Sequence, residues 1–452
     1  MRLKLTLARM LRTLSRRLGR GGGTTVPGRV LLRLAPGAIA TLGKKLQRGS
    51  VVVSATNGKT TTASMLAAAL EASGAEVVHN RAGSNMNWGV ATALIDAGRS
   101  PGQIGLFEVD EAWLDRVARD LDPGLIVLSN LFRDQLDRYG ELELVATRWR
   151  EAVAALPHAQ LVVNGDDPQV GSLARPGGRV FGLDDPRVAR PALQHAADSK
   201  YCLRCGTPYD YAAAYVGHLG DYRCPKCGHA RPTLDVTARD IELRGLDGAS
   251  FGLVASEGET RIDLRLPGLY NVYNALGAAA LALTLGVSLD DVRDGLGRFS
   301  AAFGRFERIA IDDRRVLMLL IKNPAGANEA IRTLVEGAAP RVAVIALNDA
   351  IADGRDVSWI WDVDFEPLLS SLDRLVATGS RAAELALRFA YGGFDRDRIE
   401  VVPSLDAALD RGLALTPAGG ELTLLPTYTA MLALRRTLAS RGHVSNYWER
   451  VA

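Results

Sequence analysis

Val51-Val52-Val53-Ser54-Ala55-Thr56-Asn57-Gly58-Lys59-Thr60-Thr61-Thr62 is the stretch on which the reading of this chain turns. The valine triplet predicts a short buried strand, and the Ala-rich run from Thr60 to about Ala72 predicts a helix. A loop between the two turns its own N–H groups and those of the helix N-terminus toward one point, which suits a phosphate. In that reading Lys59 sets its charge between the β- and γ-phosphates of ATP, and the Thr60 hydroxyl ligates Mg²⁺. Thr56, Asn57, Gly58 and Thr61 complete the cradle. Val53 stands where the G-x-x-x-x-G-K-[ST] pattern has its first glycine, so the standard form is not met.

Outward from this loop, the apolar runs Ile104–Phe107, Leu125–Leu128 and Leu161–Val163 alternate with helical stretches. Such alternation predicts a parallel sheet wound by helices. Polar alternating segments run from Leu234 to Leu264, and a buried helix is expected from about Asn271 to Thr284. Phe299–Gly304 reads as a hinge. A second α/β segment follows, with strands near Val316–Leu320, Val342–Ala346, Arg374–Thr378 and Leu422–Leu425. The expected organisation is a basic N-terminal segment and linker (1–45), a central ATP-binding α/β domain (46–304) and a smaller α/β C-terminal domain (305–452).

Composition narrows the function classes. The 54 Lys and Arg against 51 Asp and Glu give a net charge of +3, too balanced for a dedicated nucleic-acid binder. Apolar residues at 47% exclude global disorder. The 24 uncharged residues Leu266–Leu289 are broken by Pro267, Gly268, Asn271 and Asn274, which argues for a core helix rather than a membrane span. Residues 1–20 carry seven cations and no acid, with Leu3, Leu7, Met10, Leu14 and Leu18 at helical spacing. Such a helix either lies on anionic lipid or docks by its leucines on the protein.

The four cysteines form two pairs, Cys202-x₂-Cys205 and Cys224-x₂-Cys227, the spacing of a closed structural zinc site. Gly206 and Gly228 suit the turn after each pair, and His229 reads as a surface residue rather than a ligand. The insert, about 200–231, has few aromatics set for base stacking, so nucleic acid is not expected as a partner. Without a signal peptide or a disulfide framework, the expected compartment is the cytoplasm, with the inner face of its membrane left open by the basic helix.

Ala-Thr-Asn-Gly-Lys-Thr (55–60) resembles the phosphate loop of the Mur ligase family, and further matches follow in order. They are Asn85-Met86-Asn87-Trp88-Gly89, Glu108 at a strand end, Asn130-x-x-x-Asp134-Gln135-Leu136-Asp137, Asn271-x-x-Asn274 and Gly304-Arg305-Phe306-Glu307. Gln135 replaces a histidine of the family pattern. The resemblance implies a Mur ligase-like fold and an ATP-activated carboxylate that an amine attacks. It further implies Mg²⁺ on Glu108 as well as Thr60, Asn271 and Asn274 near the adenine, and Arg305 at the hinge toward nucleotide.

The family's Asp-x-x-His-x-Pro segment is absent: Lys322-Asn323-Pro324 stands there. An acid-rich run, Asn348–Asp362, carries Trp359 and Trp361. With the zinc insert, this resembles those Mur ligase-like chains that act as synthetase subunits beside a GatD-type glutaminase. That resemblance implies amidation of the D-isoglutamate α-carboxyl of the lipid II stem peptide with ammonia from the partner. It also implies that one Asp of this chain completes the partner's Cys-His pair, the candidates being Asp356, Asp353 and Asp349 in that order. The alternative is a stand-alone Mur or folylpolyglutamate-type ligase adding an amino acid.

Overall fold

The computed structural model describes residues 2–17, 25–80, 84–134, 141–194, 197–300, 306–337 and 339–445. Arg305, Gly304, Gln135 and Asp137, named above, lie outside them, as does Leu18.

The strands of the first part are β1 (Ser50–Ser54), β2 (Glu76–His79), β3 (Gln103–Glu108), β4 (Leu125–Leu128), β5 (Gln160–Asn164), β6 (Arg179–Leu183), β7 (Asp210–Val216), β8 (Leu219–Arg223), β9 (Val236–Leu243), β10 (Ala249–Ala255) and β11 (Gly258–Leu264). Nine of them, all but β7 and β8, form one sheet in the order β11-β10-β9-β6-β5-β4-β1-β3-β2 among the described residues. It is parallel from β2 to β9. The two edge strands β10 and β11 run antiparallel, a departure from the purely parallel expectation. Their connections, at 244–248 and 256–257, are too short for a crossover and can only reverse the chain.

β1 is an interior strand, flanked by β4 and β3, and is buried throughout, which explains its apolar triplet. Val51 and Val53 pack with the helices Lys59–Ala72 and Leu269–Thr284, while Val52 faces the opposite layer with Leu114, Val117 and Trp149. This is the two-residue period of a strand dividing its side chains between two helical layers. Helix Leu269–Thr284 is the expected core helix, almost wholly buried. No described helix is long and apolar enough to cross a membrane.

The second sheet holds β12 (Phe306–Ile311), β13 (Arg314–Leu319), β14 (Val342–Ala346), β15 (Arg374–Thr378), β16 (Ile399–Val401) and β17 (Glu421–Pro426). Its order is β12-β13-β17-β14-β15-β16, parallel except for the β12–β13 hairpin. Helices Pro324–Glu336, Ala382–Tyr391, Leu405–Leu415 and Tyr428–Ser440 surround it.

β6 pairs directly with β9, so the whole of 184–235 is an excursion from the sheet, wider than the 200–231 expected from the cysteines. The hairpin β7–β8 and both cysteine turns lie within it.

The N-terminal helix Arg2–Arg17 docks on the body, but not by the expected leucines. Leu5 and Ala8 are buried, with Arg9 donating to the Ile95 carbonyl at 3.0 Å and Arg12 paired with Asp96 at 2.5 Å. Leu3, Leu7 and Met10 face solvent; the side chain of Leu14 is not among those described. The helix surface holds two stripes, and the one with buried partners is the mixed Leu-Ala-Arg stripe at 5, 8, 9 and 12.

Candidate active site

The loop after β1 opens into a cleft of about 370 Å³ between the two sheets, lined from the central sheet by Lys59, Glu108 and Asn271 and from the C-terminal domain by Lys322 and Glu329. Gly58 takes φ = +85° just before the helix Lys59–Ala72. A Cβ there would stand 1.9 Å from Asn274 Oδ1, so both conformation and space require glycine. The side chain of Asn130 staples the loop: its Oδ1 accepts from Asn57 N at 2.9 Å and its Nδ2 donates to Asn57 O at 3.0 Å.

Lys59 is buried and donates to Glu111 at 2.7 Å and to the Ala55 and Thr56 carbonyls. Burial opposes its charge, but Glu111, Asp110 and Glu108 outweigh that and raise its pKa. Burial likewise pushes Glu111 upward, and Lys59 with Lys322 overcomes it, holding the carboxyl below its usual range. Burial and the neighbouring Glu111 push Asp110 up to about 6 against the pull of Lys59. Thr60 Oγ1 donates to both Glu108 oxygens, at 2.7 and 2.8 Å. Two hard oxygen donors therefore converge at the helix N-terminus, a donor set that fits Mg²⁺.

The Asn-x-x-Asn pair continues the wall away from the loop. Asn274 lies against Gly58 and donates to Asn271 Oδ1 at 3.1 Å, and Asn271 is fixed by donating to the Pro267 carbonyl at 2.8 Å. Thr56, Asn57, Gly58, Lys59, Thr61, Glu108, Asn271 and Asn274 thus line one cleft, with the Thr60 hydroxyl on Glu108.

The C-terminal domain reaches the loop directly. Lys322 donates to Asp134 at 2.5 Å and to the Thr56 carbonyl at 3.2 Å. Asn323 and Asn57 exchange side-chain hydrogen bonds at 3.0 and 3.2 Å. The three candidate aspartates are placed differently. Asp353 is buried and accepts from Thr429 N at 2.8 Å and from its hydroxyl. Asp349 accepts from Ser380 Oγ at 2.7 Å and pairs with Arg381 at 2.9 Å. Asp356 is exposed, one oxygen accepting from Ser358 N at 2.8 Å.

Glu111, Asn130 and Glu329 belong to the cleft or its wall, beyond the site residues that the sequence indicates. Glu111 follows Glu108 by three residues, just past the end of β3, and a second carboxylate so close to the loop's strand end is a readable signal. Glu329 lies mid-helix and carries no local signal at all.

In the insert the four cysteine sulfurs lie within 4.8 Å of one another, and none is in a disulfide. Two S···S separations are 3.5 Å. Zinc bound to four thiolates at about 2.3 Å sets sulfurs about 3.8 Å apart, so this cluster could hold a metal. Gly206 and Gly228 take φ = +70° and +73° as the turn after each pair requires. His229 is buried rather than on the surface: the Tyr209 ring lies tilted against it at 5.8 Å, and its Nδ1 shares a 2.7 Å hydrogen bond with the Tyr209 hydroxyl.

Residues 53–184 match the Mur ligase middle domain, and residues 320–431 match the C-terminal domain of MurT ligases. The fold is shared with a pseudomurein peptide ligase type C from Methanothermus fervidus, at TM-score 0.70 and 24% identity, covering 88% of this chain and 80% of that one. It is shared also with Mycobacterium tuberculosis folylpolyglutamate synthase complexed with ADP, at TM-score 0.63 and 17% identity over 90% and 94% of the two chains. The chain is therefore a Mur ligase by fold. Within that class it is 34% identical, over 94% of both chains, to the lipid II isoglutaminyl synthase (glutamine-hydrolyzing) subunit MurT of Streptococcus pneumoniae, and it belongs to the MurT family.

Proposed function

We propose that the chain is the ATP-dependent synthetase subunit of a lipid II isoglutaminyl synthase, a carbon–nitrogen ligase of peptidoglycan synthesis. The observation that carries this is the convergence of the phosphate loop, the Thr60–Glu108 pair and Lys322 in one cleft between the two α/β domains. We place the domains at 46–304 and 305–452, after the N-terminal segment 1–45.

In this reading an oxygen of the D-isoglutamate α-carboxylate attacks the γ-phosphorus of ATP, and ADP leaves with the broken P–O bond's electrons. Ammonia then attacks the acyl phosphate carbon, inorganic phosphate departs and the nitrogen sheds a proton. Lys59 and the loop N–H groups of Thr56–Thr61 offset the charge of the phosphates. Thr60 and Glu108 would hold Mg²⁺, which neutralises phosphate charge when bound. Asn271 and Asn274 line the nucleoside side. Arg305 is proposed for the nucleotide on sequence grounds alone. Cys202, Cys205, Cys224 and Cys227 would hold a structural Zn²⁺.

A GatD-type glutaminase supplies the ammonia in this reading, and Asp356 is the aspartate offered to it. Its exposure supports that choice, since Asp353 is sealed against Thr429 and Asp349 is engaged by Ser380 and Arg381. Because the substrate is lipid-linked, the work is placed at the cytoplasmic membrane face. The exposed Leu3, Leu7 and Met10 support contact there.

The test is mass spectrometry of lipid II incubated with Mg·ATP and glutamine or ammonium, with and without the glutaminase subunit. The expected product is lighter by about one mass unit, an OH exchanged for NH₂. Lys59→Ala is expected to abolish it, and Asp356→Asn to lower glutamine hydrolysis in an intact complex. Incorporation of an amino acid instead of ammonia would overturn the reading.

A further inference from the structure

The nucleotide cleft has a polar atom that the phosphate chemistry leaves unused. Glu329, on helix Pro324–Glu336, lines the cleft and is 3% exposed. Its Oε1 accepts from Arg190 of the insert at 2.9 Å, while its Oε2 is buried and accepts no hydrogen bond from any described residue. Buried carboxylate oxygens rarely stay unpaired, because the desolvation is not recovered. Arg190 fixes the carboxylate's orientation, so the free oxygen has a defined direction.

The position of Glu329 along the cleft says what it can meet. Gly58 touches Asn274; Asn274 donates to Asn271 one turn earlier on the same helix. Tyr270 follows, close enough to Glu329 for the carboxylate to help raise the phenol's pKa, behind the larger effect of burial. Thr333, one turn beyond Glu329, closes on Gly268. Gly58, Asn274, Asn271, Tyr270 and Glu329 therefore follow one another along one cleft, which Leu266, Phe306 and Ala330 also line. An apolar slot with one directed acceptor is what a purine carrying an amino group fits.

We propose that Glu329 reads the nucleobase: its Oε2 accepts a hydrogen bond from the exocyclic 6-amino group of adenine, and so selects adenine over guanine nucleotides. Guanine would set its O6 carbonyl oxygen against the carboxylate, two acceptors with no proton between them. A site built to hydrogen-bond a ligand N–H rejects the analogue that lacks it more strongly than an apolar pocket can. The proposal rests on the ATP reading of the cleft.

Direct binding separates the two. Isothermal titration of the full chain with Mg·ATP, Mg·GTP and Mg·purine riboside triphosphate, which lacks only the 6-amino group, needs no acceptor substrate. The wild type is expected to bind ATP about tenfold or more tightly than purine riboside triphosphate, the worth of one hydrogen bond to a charged group. GTP is expected to bind more weakly still. In Glu329→Ala the ATP-to-purine-riboside ratio falls to about one, and Glu329→Gln, which can donate to O6, narrows the gap to GTP. Equal wild-type binding of ATP and purine riboside triphosphate overturns the proposal, and that comparison stands even if a variant does not fold. So does an equal loss of both nucleotides in Glu329→Ala, the mark of a structural role only. Wild type that binds no nucleotide removes the ATP reading and this proposal together.

Discussion

Gly58 shows how much a single residue decides. Alanine at φ = +85° costs about 1–2 kcal/mol in backbone strain alone, and its methyl would have to displace Asn274 from 1.9 Å. Gly58→Ala is therefore expected to lower the thermal midpoint and to lose the further upward shift expected of the wild type with Mg·ATP. Retention of that ligand-induced shift would place the phosphates elsewhere. Asp166 makes a second prediction at this scale. It is fully buried, accepting from Leu183 N at 2.8 Å, from the Tyr273 hydroxyl at 2.7 Å and from Arg231 at 3.0 Å. Burial nevertheless pushes its pKa up to about 6, with Arg231 pulling the other way. The folded value lies above the unfolded one, so the contribution is fully present below about pH 4 and is lost as pH rises through 6. Urea denaturation of wild type and Asp166→Asn across pH 4–7 is expected to show this as a slope in the wild type, amounting to about 1–3 kcal/mol, that flattens in the variant. Parallel curves would mean that Asp166 stays ionised throughout.

Among the elements, what was legible in the sequence was whatever repeats locally. β4, β14 and β15 begin and end where their apolar runs do, and the helix Lys59–Ala72 follows its alanines. The loop residues 56–61 could be read because phosphate chemistry restricts residue types over a few adjacent positions. The width of the insert and the docked stripe Leu5-Ala8-Arg9-Arg12 could not, because each depends on what comes alongside from far away in the chain, whereas the antiparallel edge β10–β11 follows from connections short enough to be read locally. Glu329 is the extreme case: its partner Arg190 is 139 residues distant. The insert is where this matters for stability. Its hairpin tip buries His218 against Asp167 and the Phe132 ring, and Val216 and Leu219 line the nucleotide cleft. Arg332 of the C-terminal domain donates to the Tyr215 and Val188 carbonyls. A four-cysteine clip at the base of this element ties down a wall of the active cleft. Cys205→Ser with Cys224→Ser is expected to remove one zinc per chain by atomic absorption, and with it both thermal stability and ATP affinity. Unchanged ATP affinity after the zinc is gone would make the clip irrelevant to the cleft.

For the whole molecule, the two α/β domains meet at the phosphate loop through Lys322 and Asn323, which stand where other Mur ligase-like chains are expected to carry an Asp-x-x-His segment. Lys322 bridges Asp134 and the Thr56 carbonyl, so one ammonium joins the C-terminal domain to two segments of the central one. The Asp134 side chain is only 5% exposed, and burial raises its pKa even against the pull of Lys322. Removing the lysine leaves a buried acid without its counter-charge, which is more damaging than removing both partners. Lys322→Met is therefore expected to lose about 3 kcal/mol of stability to denaturant, and Lys322→Met with Asp134→Asn to recover most of it. Lys322 also lines the cleft beside the loop, so ATP turnover tells a different story if it faces the transferring phosphoryl group. In that case the double variant regains the fold and not the activity. Recovery of both together would reduce Lys322 to a strut between domains, and failure of both to recover would mean that Asp134 is needed for the fold in its own right.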